Sequence, residues 1–114
     1  MAELPKTVDG QPRAFFGRRS GKRLHKGQDQ LFRDLLPSLE IRLEAAALDL
    51  ATLFPGKARF ALEIGYGGGE HLARLPLRFP ETGFLGCEVF SGGIAKMVEA
   101  IDADAIGNIR LYTD

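Results

Sequence analysis

The residue types best suited to binding chemistry lie in one short stretch, ALEIGYGGGEH (61–71). An apolar run that carries an acid near its end leads into the glycine turn (65–69), where Gly65, Gly67 and Gly69 fall at alternate positions. A glycine-rich turn between a strand and a helix lets a ligand touch the backbone, because side chains are absent and helix N–H groups point toward it. The pattern predicts a ligand site, but both dinucleotide binders and nucleoside binders use it.

Three acids around this turn narrow the choice of ligand. Dinucleotide sites typically carry a small residue where this chain has Glu70, and a pyrophosphate gains nothing from Glu63, just ahead of the first glycine. Glu88 lies in the next apolar run, at the place where a carboxylate accepts the hydroxyls of a ribose. A nucleoside without phosphates that carries an ammonium and a sulfonium matches Glu63 and Glu88. This favours S-adenosylmethionine and leaves a dinucleotide-dependent oxidoreductase as a distant alternative.

Apolar periodicity predicts the elements that position these residues. Three short apolar runs are typical of strands: ARFALEI (58–64), GFLGCEVF (83–90) and NIRLYTD (108–114). Helical spacing predicts a helix over 70–79, shortened or kinked by Pro76. It predicts another over 91–103, with Ser91 as its N-cap. The alternation of strands and helices along the chain predicts an α/β fold. It corresponds to half of a doubly wound Rossmann-like domain, with three parallel strands in the local order 3-2-1.

The residues before the first strand divide into an arm and a leading helical segment. Residues 1–27 hold several glycines and prolines without a sustained apolar period, so we expect a partly disordered basic arm followed by an incomplete cofactor-binding domain over 28–114. A helix is predicted from 28 to 36, ended or bent by Pro37. A second helix is predicted over 39–54.

Charge and composition limit the kinds of function that this chain can have. Residues 1–33 hold 8 basic and 3 acidic groups, a net charge of +5, and the other residues hold 7 and 12, a net charge of −5. This asymmetry predicts a polyanionic partner for the arm. Cys87 is the only cysteine and the two histidines are far apart, so neither a disulfide nor a metal site is predicted. Cys87 itself is expected to be buried. Without a membrane-length apolar run or a signal peptide, we expect a cytoplasmic protein.

The predicted strand order leaves an apolar strand at an edge of the sheet. In a doubly wound fold the first strand, 58–64, is normally covered by a fourth strand, which these residues do not supply. An unpaired apolar strand invites pairing with another chain. We therefore expect either that these residues are the N-terminal part of a longer design or that two copies associate along this strand.

Three blocks, LEIGYGGGEHL, GFLGCEVFSGGIAKM and NIRLYTD, together resemble the bacterial tRNA (guanine-N7-)-methyltransferase family. In that family the first block is close to LEIGFG-x-GEHL and the second to F-x-G-x-E. The segment FFGRRSGKRLHKGQDQLFRDLLPSL is similar to the basic segment before the family's Leu-Leu-Pro helix. The resemblance runs from about Arg13 to the last residue. It implies the N-terminal half of a methyltransferase that transfers a methyl group from S-adenosylmethionine to N7 of the variable-loop guanine at tRNA position 46.

The resemblance also implies roles for individual residues. Glu63 and Glu88 match the family's two cofactor-binding acids, and the three alternate glycines match its glycine turn: Gly65, Gly67 and Gly69. Asp114 stands at, or one residue before, a third acid that contacts the adenine side of the cofactor. The clustered basic residues of the arm are predicted to bind tRNA: Arg18, Arg19, Lys22, Arg23 and Lys26.

One part of the family pattern does not occur in these residues. The Asp-Pro-x-Pro block carries an aspartate tied to guanine recognition and catalysis, and it is missing here. No catalytic residue is therefore predicted, and the 114 residues alone are expected to be inactive, as a truncated form of the enzyme. The alternative is a noncatalytic half-Rossmann module that binds a nucleoside or RNA and is completed by a partner or a second copy.

Overall fold

The structure, a computed structural model, describes residues 26–43 and 47–114. Its elements in chain order are α1 (Lys26–Asp34), α2 (Leu36–Leu39), α3 (Leu50–Leu53), β1 (Arg59–Ile64), α4 (Leu75–Arg78), β2 (Thr82–Cys87), α5 (Ser91–Ala103) and β3 (Ile109–Tyr112). None of the helices in these ranges is long and apolar enough to cross a membrane. Nearly all of the predicted arm lies outside the described residues.

The three strands form one parallel sheet with the order β1-β2-β3. This confirms the predicted α/β architecture and the local order 3-2-1. The outer edge of β3 is covered in part by the segment after α2, since Glu40 forms a parallel bridge to Leu111 and the Ile41 N–H donates to the Leu111 carbonyl at 2.8 Å. β1 therefore lies at the opposite edge of the sheet, as the sequence predicts.

The hydrophobic core lies on one face of the sheet, between the strands and α5. Alternate strand residues, among them Ile109 and Leu111, point to this face and are fully buried. Helix α5 contributes residues at helical spacing: Ile94, Met97, Val98 and Ile101. Leu31 and Leu35 are half-buried and pack against the same cluster, which brings α1 onto the outside of α5.

The face of the sheet opposite α5 is covered by the described residues only near the N-terminal ends of the strands. Phe54, which follows α3, packs against Gly83 of β2, where a side chain would overlap its ring. Toward the C-terminal end of β1, the Leu62 side chain is 59% exposed and the Ile64 side chain is 76% exposed. A strand of a parallel sheet is ordinarily buried on both faces, so β1 presents both an open edge and an open apolar face.

Two helix predictions are wrong in extent. In the described residues of the segment 39–54, Leu39 ends α2 and the only further helix is Leu50–Leu53, because residues 40 and 41 are extended and bond to β3 instead, a tertiary contact that outweighs helix propensity. Residues 70–74 form turns, and α4 begins only at Leu75. Pro76 lies in the first turn of α4, where its missing N–H costs no hydrogen bond, so it begins this helix rather than kinking a longer one.

Candidate functional site

The backbone of the glycine turn explains why three of its residues are glycine. Gly65, Gly67 and Gly69 have φ angles of 74°, 62° and 80°. These values lie in the left-handed region, which residues with a Cβ rarely adopt. The glycines singled out from the sequence are thus the ones whose backbone requires glycine.

Glu88 ties the glycine turn to the end of β2 and to the start of α5. Its Oε1 accepts a hydrogen bond from the Gly67 N–H at 2.9 Å. Its Oε2 accepts from the N–H groups of Val89 at 2.9 Å and Phe90 at 3.4 Å. The N-cap of α5 is Phe90 without a side-chain cap, so the prediction of Ser91 as N-cap is wrong. The Glu88 carboxylate holds the two residues that lead into α5 rather than capping the first turn of this helix.

Glycines on α5 allow the helix to touch the glycine turn. A Cβ on Gly93 would lie 2.9 Å from the carbonyl carbon of Gly67 and closer still to its oxygen. Similarly, a Cβ on Gly69 would overlap the side chain of Met97. Gly93 is not among the site residues predicted from the sequence. Its signal was the Gly-Gly pair that follows Ser91, since adjacent glycines in a helix carry a propensity cost that a close backbone approach explains.

The carboxyl ends of the strands border an open cleft of about 340 Å³, here called the Glu88 cleft. Its lining residues are Ile64, Gly65, Cys87, Glu88, Val89, Tyr112 and Asp114. Ligands of open α/β sheets bind at this end of the strands. The structure therefore brings Glu88, Gly65 and Asp114 to one cleft, with apolar walls and acids at its rim. Such a site suits a ligand with a flat apolar portion and hydroxyl donors.

Cys87 is half-buried in this cleft, so the prediction that it is buried is wrong. It is the last residue of β2, and its side chain points to the face that the described residues leave partly open. Burial nevertheless raises the pKa of the Cys87 thiol above its ordinary value, which keeps it neutral at physiological pH.

Glu63 does not share the Glu88 cleft. It pairs in register with Gly86, which places its side chain on the same face of the sheet as α5. There it lines a separate groove of about 270 Å³, the Glu63 groove: Ala61, Leu62, Glu63, His71, Leu72, Leu75 and Phe84. The Glu63 Oε1 lies 3.5 Å from the His71 Nδ1. The two acids matched to the cofactor thus line two separate cavities.

The remaining candidate residues are placed as follows. Of the five basic residues predicted to bind tRNA, Lys26 begins α1 and is exposed, and the others lie outside the described residues. Glu70 is exposed and its carboxylate lies against Gly68. Because residues 70–74 form turns, Glu70 is not the first residue of a helix, although the sequence predicts a helix that begins there.

Tyr66, within the glycine turn, carries a buried hydroxyl. The residue is 7% exposed, and its ring packs over Gly86, where a Cβ would lie 2.9 Å from a ring carbon. The hydroxyl has no hydrogen-bond partner within the described part of the chain. Burial raises the pKa of Tyr66, and the charge of Glu88 adds to this effect. The hydroxyl is therefore neutral and unpaired.

Tyr66→Phe is expected to stabilise the protein by about 1 kcal/mol, because it removes a buried polar group without breaking a hydrogen bond. The family block quoted above, LEIGFG-x-GEHL, carries phenylalanine at this position. Denaturant titration would measure the change, with Tyr112→Phe as a half-buried tyrosine control. A loss of stability in Tyr66→Phe would contradict the prediction and reveal a partner for the hydroxyl.

Comparison with known proteins adds a family and several relatives. A family model described as "Putative methyltransferase" matches residues 57–114, which include β1, β2 and β3. A tRNA (guanine-N(7)-)-methyltransferase of Brucella anthropi is 52% identical over 102 residues, which cover 88% of this chain and 44% of that protein. Proteins with the same name from Rhodopseudomonas palustris (strain BisB18) and Rhizobium meliloti (strain 1021) are 51% and 50% identical. The matches cover 88% and 89% of this chain, and 41% and 44% of those relatives. The chain therefore spans less than half the length of the curated relatives it matches.

Proposed function

Because the chain belongs to the putative methyltransferase family, whose matched region holds the whole sheet and the glycine turn, we propose that it is the cofactor-binding half of a tRNA (guanine-N7-)-methyltransferase. In this proposal S-adenosylmethionine is the methyl donor, and N7 of the variable-loop guanine at tRNA position 46 is the acceptor. The relatives named for this activity support the choice of substrate.

The observation that carries the proposal is the position of Glu88. Its carboxylate lies at the rim of an apolar cleft, next to a turn whose backbone is bare of side chains. Each carboxylate oxygen has two acceptor positions, and three of the four are occupied by the N–H groups of Gly67, Val89 and Phe90, so one position on Oε1 remains for a ribose hydroxyl. Asp114 lies in the same cleft and is proposed to face the adenine side of the cofactor. The bare backbone at Gly65 and Gly67 gives the methionine portion room to approach.

Methyl transfer to guanine N7 requires little acid–base catalysis by the protein. N7 carries an unprotonated lone pair at neutral pH, so no general base is required. The rate then depends on holding N7 in line with the methyl carbon and the sulfur at near-attack distance. The sequence contains no Asp-Pro-x-Pro block. We therefore expect these 114 residues to bind the cofactor without methylating tRNA.

The partners follow from the same proposal. We propose a cytoplasmic protein that contacts tRNA through its basic arm, with Arg18, Arg19, Lys22, Arg23 and Lys26 neutralising phosphates. Residues 1–27 form this arm and residues 28–114 form the cofactor-binding domain. The open edge of β1 is proposed to pair with further strands, from a longer chain or from a second copy. The open apolar face of β1 favours the second candidate function as well, a noncatalytic nucleoside- or RNA-binding module that a partner completes.

Calorimetry with S-adenosylhomocysteine tests the cofactor proposal. Glu88→Ala should weaken binding by about tenfold or more, since hydrogen bonds to a charged group contribute roughly 1.5–3 kcal/mol. Glu81→Ala, which removes an exposed acid at the opposite end of β2, serves as the matched control and should leave affinity unchanged. Equal affinity in the wild type and Glu88→Ala would refute the role of Glu88. Binding of tRNA without any binding of S-adenosylhomocysteine would favour the noncatalytic module.

A further inference from the structure

The basic residues of the acidic part of the chain are concentrated in one place. Residues 34–114 hold 7 basic and 12 acidic groups, and more than half of the basic residues fall in two short segments, 57–59 and 74–78. These residues, here called the α4 patch, are Lys57, Arg59, Arg74 and Arg78. Within 57–62 and 74–82 the only acid is Glu81. The α4 patch therefore carries a net positive charge on a part of the chain that is negative overall.

The fold brings the two segments together at the N-terminal ends of β1 and β2. The Lys57 Nζ donates a hydrogen bond to the Pro80 carbonyl, just after α4, at 2.8 Å. Arg59 pairs in register with Thr82, whose N–H donates to the Phe79 carbonyl at 3.1 Å. The start of β1 therefore lies against the loop that follows α4.

The cationic side chains border one surface, formed by α4 and the start of β1. Phe60 contacts Phe54 on the face of the sheet opposite α5, with ring centroids 6.1 Å apart. Because side chains alternate along a strand, Arg59 points to the other face, where α4 lies. Arg74 and Arg78 are four residues apart, so they share one side of α4, and both are exposed.

The protein does not neutralise these cations. Within residues 26–43 and 47–114, no carboxylate forms an ion pair with any side chain of the α4 patch. Lys57 donates to a backbone carbonyl instead, and the Arg78 guanidinium lies 5.6 Å from the centre of the Phe79 ring. Phe79 is itself 45% exposed. Unpaired cations next to an exposed aromatic ring are a combination with which proteins bind RNA.

The α4 patch and the Glu88 cleft lie at opposite ends of the sheet. The patch borders the N-terminal ends of β1 and β2, whereas the cleft lies at the C-terminal ends of the strands. The six residues of β1 separate the two ends by about 20 Å at the usual rise per residue. The acids at the end of α5, Asp102 and Asp104, precede β3, which β2 separates from β1. A small cofactor cannot contact both places, but a tRNA with a phosphate at every nucleotide can.

We propose that the α4 patch is a second tRNA-binding surface, which binds phosphates of the tRNA away from the nucleotide that is methylated. The choice of tRNA as the partner rests on the proposed function, whereas the patch itself is present in the ligand-free protein. The negative charge of residues 34–114 repels an RNA backbone over most of their surface. The α4 patch provides the place where this part of the protein attracts the backbone instead.

Fluorescence anisotropy of a labelled tRNA with guanine at position 46, measured between about 50 and 200 mM salt, tests the patch. Arg74→Gln and Arg78→Gln should each reduce the slope of log affinity against log salt by about 0.7–0.9, the contribution of one phosphate contact. The two effects should add in the double variant, with a loss of affinity of about tenfold or more near 100 mM salt. Replacing both residues by lysine should keep most of the slope, because the charges remain. Lys96→Gln, which removes an exposed charge from α5, is the matched control and should leave the slope unchanged.

An unchanged slope in the Arg74→Gln/Arg78→Gln variant would overturn the patch, and its cations would then serve another partner, such as an acidic protein. An equal effect of Lys96→Gln would also overturn it, since only the total charge would matter. So would a wild type that does not bind tRNA. If the double variant does not fold, the two single variants decide the question by the same criteria.

Calorimetry with S-adenosylhomocysteine separates this inference from the cofactor proposal. Its affinity should be the same in the wild type and in all patch variants, because the α4 patch lies at the opposite end of the sheet from the Glu88 cleft. A parallel loss of cofactor affinity and tRNA affinity would overturn the patch, since it would reveal a general structural defect. If the wild type does not bind S-adenosylhomocysteine, the cofactor proposal fails, while the salt dependence of tRNA binding still decides whether the patch exists.

Discussion

Gly93→Ala is expected to displace the glycine turn, with a loss of about 1–3 kcal/mol in the free energy of unfolding. The added Cβ would overlap the Gly67 carbonyl, and a backbone carbonyl cannot rotate away as a side chain can. Any shift of Gly67 also strains its N–H bond to Glu88. We therefore expect the affinity for S-adenosylhomocysteine to fall by about tenfold or more. Denaturant titration and calorimetry would measure the two effects.

Gly92→Ala is the matched control for this experiment. Its Cβ would approach the far end of the Phe90 ring, at 2.9 Å, and that side chain can move. Both substitutions lie in the first turn of α5 and bring the same gain in helix propensity, up to about 1 kcal/mol. Gly92→Ala should therefore be neutral or slightly stabilising. Equal stability and affinity in the two variants would show that α5 can back away from the turn.

Asn108→Ala is expected to cost about 2–4 kcal/mol of stability, since it removes three hydrogen bonds that a buried amide donates to backbone carbonyl groups. Asn108 precedes β3 and is 7% exposed. Its Nδ2 donates to the carbonyl oxygens of Pro76 at 3.0 Å, Phe79 at 3.2 Å and Thr82 at 2.8 Å. One side-chain amide thus joins α4, the turn after it and the start of β2 to β3.

Asn108→Asp distinguishes the effect on stability of losing the hydrogen bonds from the effect of losing side-chain volume. The carboxylate is nearly isosteric with the amide but would face three carbonyl oxygens, so this variant should be less stable than Asn108→Ala at neutral pH. The difference should shrink as the pH falls, because a protonated carboxyl group can donate one hydrogen bond. Thermal unfolding of both variants between pH 4 and pH 7 would measure it. A constant difference over this range would contradict the assigned donor role.

Local signals in the sequence were sufficient for the sheet and for α5. β1 and β3 lie inside the predicted runs, β2 (82–87) begins one residue before its predicted run of 83–90, and α5 spans 91–103 as predicted. Short apolar runs separated by a glycine turn and a helical repeat permit few other arrangements, because a strand that is to lie parallel to the previous one needs a crossover. The three glycines with positive φ were also predictable, since a strand-to-helix turn of this kind requires them.

Features that depend on tertiary contacts were not predictable from local signals. The residues of 40–41 read as helix formers but pair with β3. Ser91 does not supply the expected side-chain cap, and the Glu88 carboxylate bonds to the N–H groups of Val89 and Phe90, just ahead of α5. The close approach of Gly93 to Gly67 involves two segments on different elements, so nothing in either segment alone requires it.

The position of the Glu63 side chain on the α5 face of the sheet was predictable from the sequence. Side chains alternate between the faces of a strand, and Glu63 is the next-to-last residue of β1, in register with the core-facing Gly86. The contacts of Glu88 were not predictable in this way, because its carboxylate bonds to the backbone of the glycine turn, which is distant in the sequence.

The strand order also has a consequence for how the protein forms during synthesis. Each strand pairs with the next one along the chain, so the sheet can grow in the order in which the ribosome delivers it, with only short loops to close. β2 can pair with β1 as soon as α4 has reversed the direction of the chain. β3 can pair with β2 once α5 has formed. The growing sheet meanwhile displays the bare edge and the apolar side chains of β1. That strand is consequently the part of the sheet that is exposed to association with other chains until its edge is paired.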